Sequence, residues 1–153
     1  VGEAFSVDVI VGGPPCQGFS VQRRGSDIDD RNNLVLEFGR IVGDLRPKVF
    51  LMENVSGLLS KRGADVLSML KENLGKIGYQ FFIEKLDASQ FGVPQARKRV
   101  FLVGVDQNHI SAPFFFPKPN SEYLRRPKTV REAISDLTDT EGKLILNHRA
   151  DLQ

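Results

Sequence analysis

Val7-Asp8-Val9-Ile10-Val11-Gly12-Gly13-Pro14-Pro15-Cys16 is the stretch from which the rest of the chain can be read. Val7 to Val11 is a short run of strand-forming apolar residues and predicts a buried strand. Gly12 and Gly13 permit a sharp turn or a close backbone approach. Pro14 and Pro15 then fix φ at about −65° and stiffen the segment that presents Cys16. Cys16 is the only cysteine of the 153 residues. Taken alone, a single cysteine is more often a small buried hydrophobe than a reactive group. Held on a rigid turn just past a strand, it is a candidate nucleophile.

On the C-terminal side of this stretch, Gly12 to Arg31 is a long polar loop, of the kind that in a compact domain is usually functional or disordered. Leu34, Phe38, Ile41, Val42 and Leu45 then fall on one face of a helix. Asp30 or Asn32 is placed to cap it, and Pro47 ends it. Lys48 to Glu53 predicts a strand. Its continuous run Val49-Phe50-Leu51-Met52 is what a strand covered by helices on both faces requires. After a loop over Gly57 to Gly63, a second helix is expected from about Ala64 to Ile77, with Val66, Leu67, Leu70, Leu74 and Ile77 inward and Gly78 as its C-terminal cap. Strands come next, over Tyr79 to Asp87 and Arg97 to Val105. Beyond Pro113 the chain is proline-rich, with a short helix over Thr129 to Leu137 and a polar tail.

This alternation predicts an α/β fold: an open, mostly parallel, Rossmann-like sheet, incomplete in these residues. In such sheets ligands sit outside the carboxyl ends of the strands. Cys16 and Glu53 each lie at such an end, so a thiol and a carboxyl are expected near one another despite their separation in sequence. A carboxyl at the mouth of an apolar strand is partly desolvated, which favours its protonated form; seen alone, Glu53 reads equally well as a capping or salt-bridged surface residue. In Gln95-Ala96-Arg97-Lys98-Arg99, strand alternation puts Arg97 and Arg99 on one face and Lys98 on the other. Paired guanidinium groups suit carbonyl and phosphate oxygens.

The bulk numbers exclude several classes. A net charge of +2 rules out a strongly basic nucleic-acid arm while allowing a local basic face. One cysteine forms no internal disulfide, which points to a reducing, intracellular compartment, cytoplasm or nucleoid in a bacterium. No metal-ligand spacing is visible, His109 and His148 being far apart. No apolar run approaches the ~18 residues of a membrane span, and no signal peptide is visible. A chain opening on Val1 rather than Met reads as a processed or excised piece.

GGPPCQGFS (12–20), MENV (52–55) and QARKR (95–99), in this order and spacing, resemble the DNA cytosine-5 methyltransferases. The resemblance runs from about Val7 to Pro119, and Thr129 to Ile134 is similar to that family's lead-in to its target-recognition region. Residues 1–119 would then be part of the catalytic core and 120–153 a segment leading toward the recognition domain. The resemblance implies that Cys16 attacks C6 of a cytosine flipped out of double-stranded DNA. Glu53 would protonate and hold the base, and Arg99 with Arg97 would hold its O2 and a neighbouring phosphate. It further implies that Gln17, Ser20, Gln22, Arg23 and Arg24 contact DNA, and that Pro14 and Leu34 contact S-adenosylmethionine, the methyl donor. No metal is implied.

The family's glycine-rich donor turn is absent from these residues, as is its recognition domain. The chain is therefore expected to bind the donor weakly and turn over poorly alone. It would be an excised fragment or one subunit of a split enzyme that needs a complementary polypeptide. Two other readings stay open: a tRNA cytosine-5 methyltransferase, whose relatives usually carry a further cysteine after the Glu-Asn-Val element, and a nucleic-acid-binding module of the same fold without turnover.

Overall fold

In a computed structural model, residues 6–15 and 33–135 are described. They divide into two compact units, one holding the described residues up to Leu86 together with Lys98–Pro117 and the other holding Asp87–Arg97 together with the described residues from Lys118 onward. The proposed caps Asp30 and Asn32 lie outside the described residues.

The first unit is built on a four-stranded sheet in the order β1-β2-β4-β3. Strand β1 (Val9–Gly12) starts two residues later than the sequence suggests and includes Gly12. It pairs in parallel with β2 (Val49–Val55), with Ile10 opposite Phe50 and Gly12 opposite Met52. Helix α1 (Asn33–Leu45) joins the two, so β1-α1-β2 is the expected α/β unit. Strand β4 (Lys98–Asp106) then runs antiparallel to β2, so the sheet is mixed. Strand β3 (Tyr79–Asp87) lies on its far side.

Helix α1 buries Val35, Phe38 and Val42, whereas Leu34, Ile41 and Leu45, expected inside, are exposed. The inward stripe is set by helix α2 (Lys61–Gly75), which comes so close that a Cβ on Gly39 would lie 2.3 Å from Leu70 Cδ1. Helix α2 itself buries Leu67, Leu70 and Leu74 as expected. It begins at Lys61 rather than Ala64 because Gly63 fits beneath a preceding 3-10 turn (Ser56–Leu59), where a Cβ would strike the Leu58 carbonyl. Gly78 takes the left-handed φ of 102° that its place after the helix requires. Arg46, the residue before Pro47, also has a positive φ, and its guanidinium donates to the Ile77 carbonyl at 3.0 Å.

Strand β2 alternates. Phe50, Met52 and Asn54 are buried, and the residues between them are only partly covered. The continuous apolar run is therefore not matched by equal cover on both faces. On the helix-covered face, Phe50 meets Phe38, Tyr79 and Phe81 with ring centroids 5.9, 5.5 and 6.3 Å away, a geometry that adds to simple burial. The other face carries Phe82, against which Phe114 packs at 5.3 Å, with Phe116 5.0 Å further on. Along β1 that second face is open, with Val9 and Val11 56% and 70% exposed, so β1 is not the buried strand that the sequence suggests.

In the second unit a 3-10 turn (Ala88–Phe91) is capped by the Asp87 carboxylate, which accepts from the Ser89 amide and hydroxyl. Helix α3 (Ser121–Arg125) is capped by Asn120. Helix α4 (Val130–Ile134) opens with a capping box in which Thr129 and Glu132 satisfy each other's backbone amides. It accounts for the first part of the helix expected over Thr129 to Leu137. The residues after Ser135 lie outside the described ones.

Candidate active site

The parallel pairing of β1 and β2 brings the turn that leads toward Cys16 beside the end of β2. Asn54 faces the helix-covered side with Phe50 and Met52 and is only 3% exposed. Its Nδ2 donates to the Pro14 carbonyl at 3.0 Å, and its Oδ1 accepts from the Val55 amide at 2.8 Å. A buried amide of this kind must have partners, and here its partner is the backbone of the proline turn. Sequence reading singled out the Glu-Asn-Val element but gave Asn54 no part. The signal was there: a polar residue in phase with Phe50 and Met52 on an apolar strand points inward.

Glu53 projects from the opposite face. In the β2/β4 ladder it stands opposite Phe101, with Arg99 opposite Val55. Glu53 and Arg99 are therefore diagonal neighbours, within reach for long side chains. Arg99 Nε lies 2.9 Å from Glu53 Oε1, the two side chains being 24% and 35% exposed. Arg99 Nη1 also donates to the Lys98 carbonyl at 2.9 Å. A Cβ on Gly13 would stand 3.7 Å from Glu53 Oε2, so the second carboxylate oxygen faces the glycine–proline turn. The carboxyl is partly exposed and has a guanidinium partner, which is the ion-paired alternative for Glu53.

Arg97 departs from the expectation. Strand β4 begins at Lys98, and the Arg97 carbonyl is taken by the Ala88 amide at 3.0 Å, closing a loop within the second unit instead of extending the ladder. The strand alternation that would pair it with Arg99 therefore does not govern it. Of the residues linked to the donor, Pro14 is half-buried and Leu34, in the first turn of α1, is 39% exposed. Cys16, Gln17, Ser20, Gln22, Arg23 and Arg24 lie outside the described residues. Among the described residues there is no group of three or more His, Cys, Asp and Glu side chains that could hold a metal, and no helix long and apolar enough to cross a membrane.

The profile of the C-5 cytosine-specific DNA methylases matches residues 2–151. The chain is 40% identical to the type II methyltransferase M.AgeI of Thalassovita gelatinovora, over 87% of this chain and 35% of that protein. It is 42% identical to the type II methyltransferase M.FnuDI of Fusobacterium nucleatum, over 86% of this chain and 38% of that protein. It thus spans little more than a third of the length of these relatives. A crystal structure described as a DNA modification methyltransferase encoded within an Escherichia coli prophage superposes with a TM-score of 0.66 at 36% identity, covering 85% of this chain and 35% of that one. The chain belongs to the C-5 cytosine-specific DNA methylase family.

Proposed function

We propose that these residues form the central catalytic portion of a DNA cytosine-5 methyltransferase acting on a cytosine flipped out of double-stranded DNA. The observation that carries the reading is the Glu53–Arg99 pair beside the turn that leads to Cys16. C5 of cytosine is a poor nucleophile. Addition of the Cys16 thiolate to C6 forms a C–S bond and, with a proton delivered to N3, turns the ring into an enamine. Glu53 holds N3 and the exocyclic amine and is the group that delivers this proton. Arg99, with Arg97, holds the base O2 and a neighbouring phosphate as charge develops. S-adenosylmethionine, when bound, would supply an electrophilic methyl group for C5, its S–CH3 bond breaking to leave the neutral thioether S-adenosylhomocysteine. A water molecule takes the C5 proton as the C–S bond breaks, which restores the C5–C6 double bond and releases the thiolate, and N3 gives its proton back to the Glu53 carboxylate.

Arg99 binds one carboxylate oxygen of Glu53 and so leaves Oε2, the oxygen nearer Gly13, to meet the base. Exposed Leu34 and half-buried Pro14 fit an edge contact with the donor but not its whole grip. The glycine-rich donor turn and the target-recognition region belong, in this reading, to polypeptide beyond these residues. Residues 1–119 are then core, and 120–153 lead toward recognition. Gln17, Ser20, Gln22, Arg23 and Arg24 contact the DNA around the extruded base.

The test is trapping with duplex DNA carrying 5-fluorocytosine, which blocks the final elimination. The full-length protein with S-adenosylmethionine should form a complex that survives denaturing electrophoresis, and Cys16→Ser should form none. A trapped complex that persists in Cys16→Ser overturns the assignment of the nucleophile.

A further inference from the structure

The loop that carries Gln95 and Arg97 is held by a device in its own unit. The Ala88 amide bonds the Arg97 carbonyl at 3.0 Å and closes the loop at its base. Within it, the Val93 amide donates to the Ala88 carbonyl at 3.3 Å and the Gln95 amide to the Val93 carbonyl at 2.8 Å. Gly92 adopts a left-handed φ of 86°. The ring of Tyr123, from α3, lies over its bare Cα. A Cβ there would be 2.7 Å from Tyr123 Cε2 and 3.0 Å from Cζ. One turn away, the Asn120 amide donates to the Gln90 carbonyl at 3.1 Å, while the Asn120 side chain caps α3. The loop is thus gripped at two points by the segment after Pro119.

We infer that Tyr123, seated on Gly92, is a positioning residue for Arg97: it fixes the 88–97 loop so that the guanidinium is presented to the DNA target in one place. This rests on the role proposed above for Arg97. Small misplacements of a positioning group are costly, about a hundredfold in rate for about 1 Å. The segment leading toward the recognition region and the loop bearing a catalytic arginine then move as one body.

The test uses the full-length enzyme with Tyr123→Ala, Tyr123→Phe, Arg97→Ala and the double variant Tyr123→Ala/Arg97→Ala. Tyr123→Ala should lower kcat about ten- to a hundredfold, and Tyr123→Phe, which keeps the ring over Gly92, should restore it. The double variant should be no slower than Arg97→Ala alone, because a residue acting through Arg97 has nothing left to act on. Multiplying losses overturn the inference. Amide hydrogen exchange at Ala88 and Val93 gives a readout independent of the chemistry. It should quicken in Tyr123→Ala and not in Tyr123→Phe, and unchanged exchange in a folded Tyr123→Ala protein overturns the clamp. A wild-type rate for Arg97→Ala would remove Arg97 from the reaction, and its positioning residue with it, while exchange would still show whether the loop is held.

Discussion

Arg99 Nε and Glu53 Oε1 are 2.9 Å apart, although their residues lie on different strands and 46 positions apart in the chain. The antiparallel β2/β4 ladder makes the contact, and the geometry uses the side of the guanidinium rather than its tip. A lysine ammonium is a point charge on a flexible stem and does not reproduce that planar donor set. Arg99→Lys and Arg99→Ala should both lower single-turnover methyl transfer by about a hundredfold or more, as loss of a preorganised donor does elsewhere. Stability should change little, since a partly exposed ion pair contributes at most about 1 kcal/mol. A lysine variant with the wild-type rate would remove Arg99 from the chemistry.

Asn54 should separate stability from chemistry in the opposite way. Asn54→Ala leaves the Pro14 carbonyl and the Val55 amide without the partner they have now. Removing one side of a buried hydrogen bond costs about 1–3 kcal/mol. Urea denaturation of the variant should show a lower midpoint with an unchanged slope. An unchanged midpoint would mean that the proline turn is held by something else.

Two glycines in the core test how packing was achieved. A Cβ on Gly104 would stand 2.0 Å from Phe50 Cε1 and 2.4 Å from Cζ, inside the aromatic cluster. One on Gly39 would meet only the tip of Leu70, Cδ1 at 2.3 Å with Cγ already at 3.8 Å. A leucine tip can turn aside, and alanine gains about 1 kcal/mol over glycine in a helix. A buried ring cannot, and overpacking typically costs about 1–3 kcal/mol. Thermal melts should therefore show Gly104→Ala clearly destabilised and Gly39→Ala near neutral. Equal losses would contradict the difference in compliance.

Much of this is legible in the amino-acid sequence. The presence of a strand before the glycine–proline turn, the inward face of α2 and the cap at Gly78 arise from local chemistry, although β1 runs Val9–Gly12 and is not buried as Val7 to Val11 suggests. The meeting of Glu53 with the turn before Cys16 comes from parallel strands alone. Three things were not legible. The inward face of α1 is chosen by how closely α2 can approach Gly39, a fact about a partner helix rather than about α1's own period. The cover on β2 is unequal because the second face, with Val9 and Val11 exposed, is only partly packed. Arg97 falls outside β4 because its carbonyl closes a loop onto Ala88, a competing hydrogen bond that strand alternation does not foresee.

The far end of β4 should give the protein an acid limit. Asp106, 3% exposed, accepts from the Asn108 amide at 2.9 Å, from Asn108 Nδ2 at 2.8 Å and from His109 Nδ1 at 2.9 Å. Burial pushes its carboxyl upward, but the Asn108 amide, then His109 and the Asn108 side chain, outweigh burial and hold it below the ordinary value. A carboxyl held low when folded binds its proton more readily when unfolded. Its contribution to stability is therefore complete above the unfolded value of about 3.9 and is lost as pH falls through that value toward the folded one. The melting temperature should drop between about pH 5 and pH 3. Asp106→Asn should be less stable at neutral pH, because its amide cannot accept all three bonds, yet should lose less on acidification. If the variant's acid slope matches that of the parent, the titration that sets this limit belongs to another carboxylate.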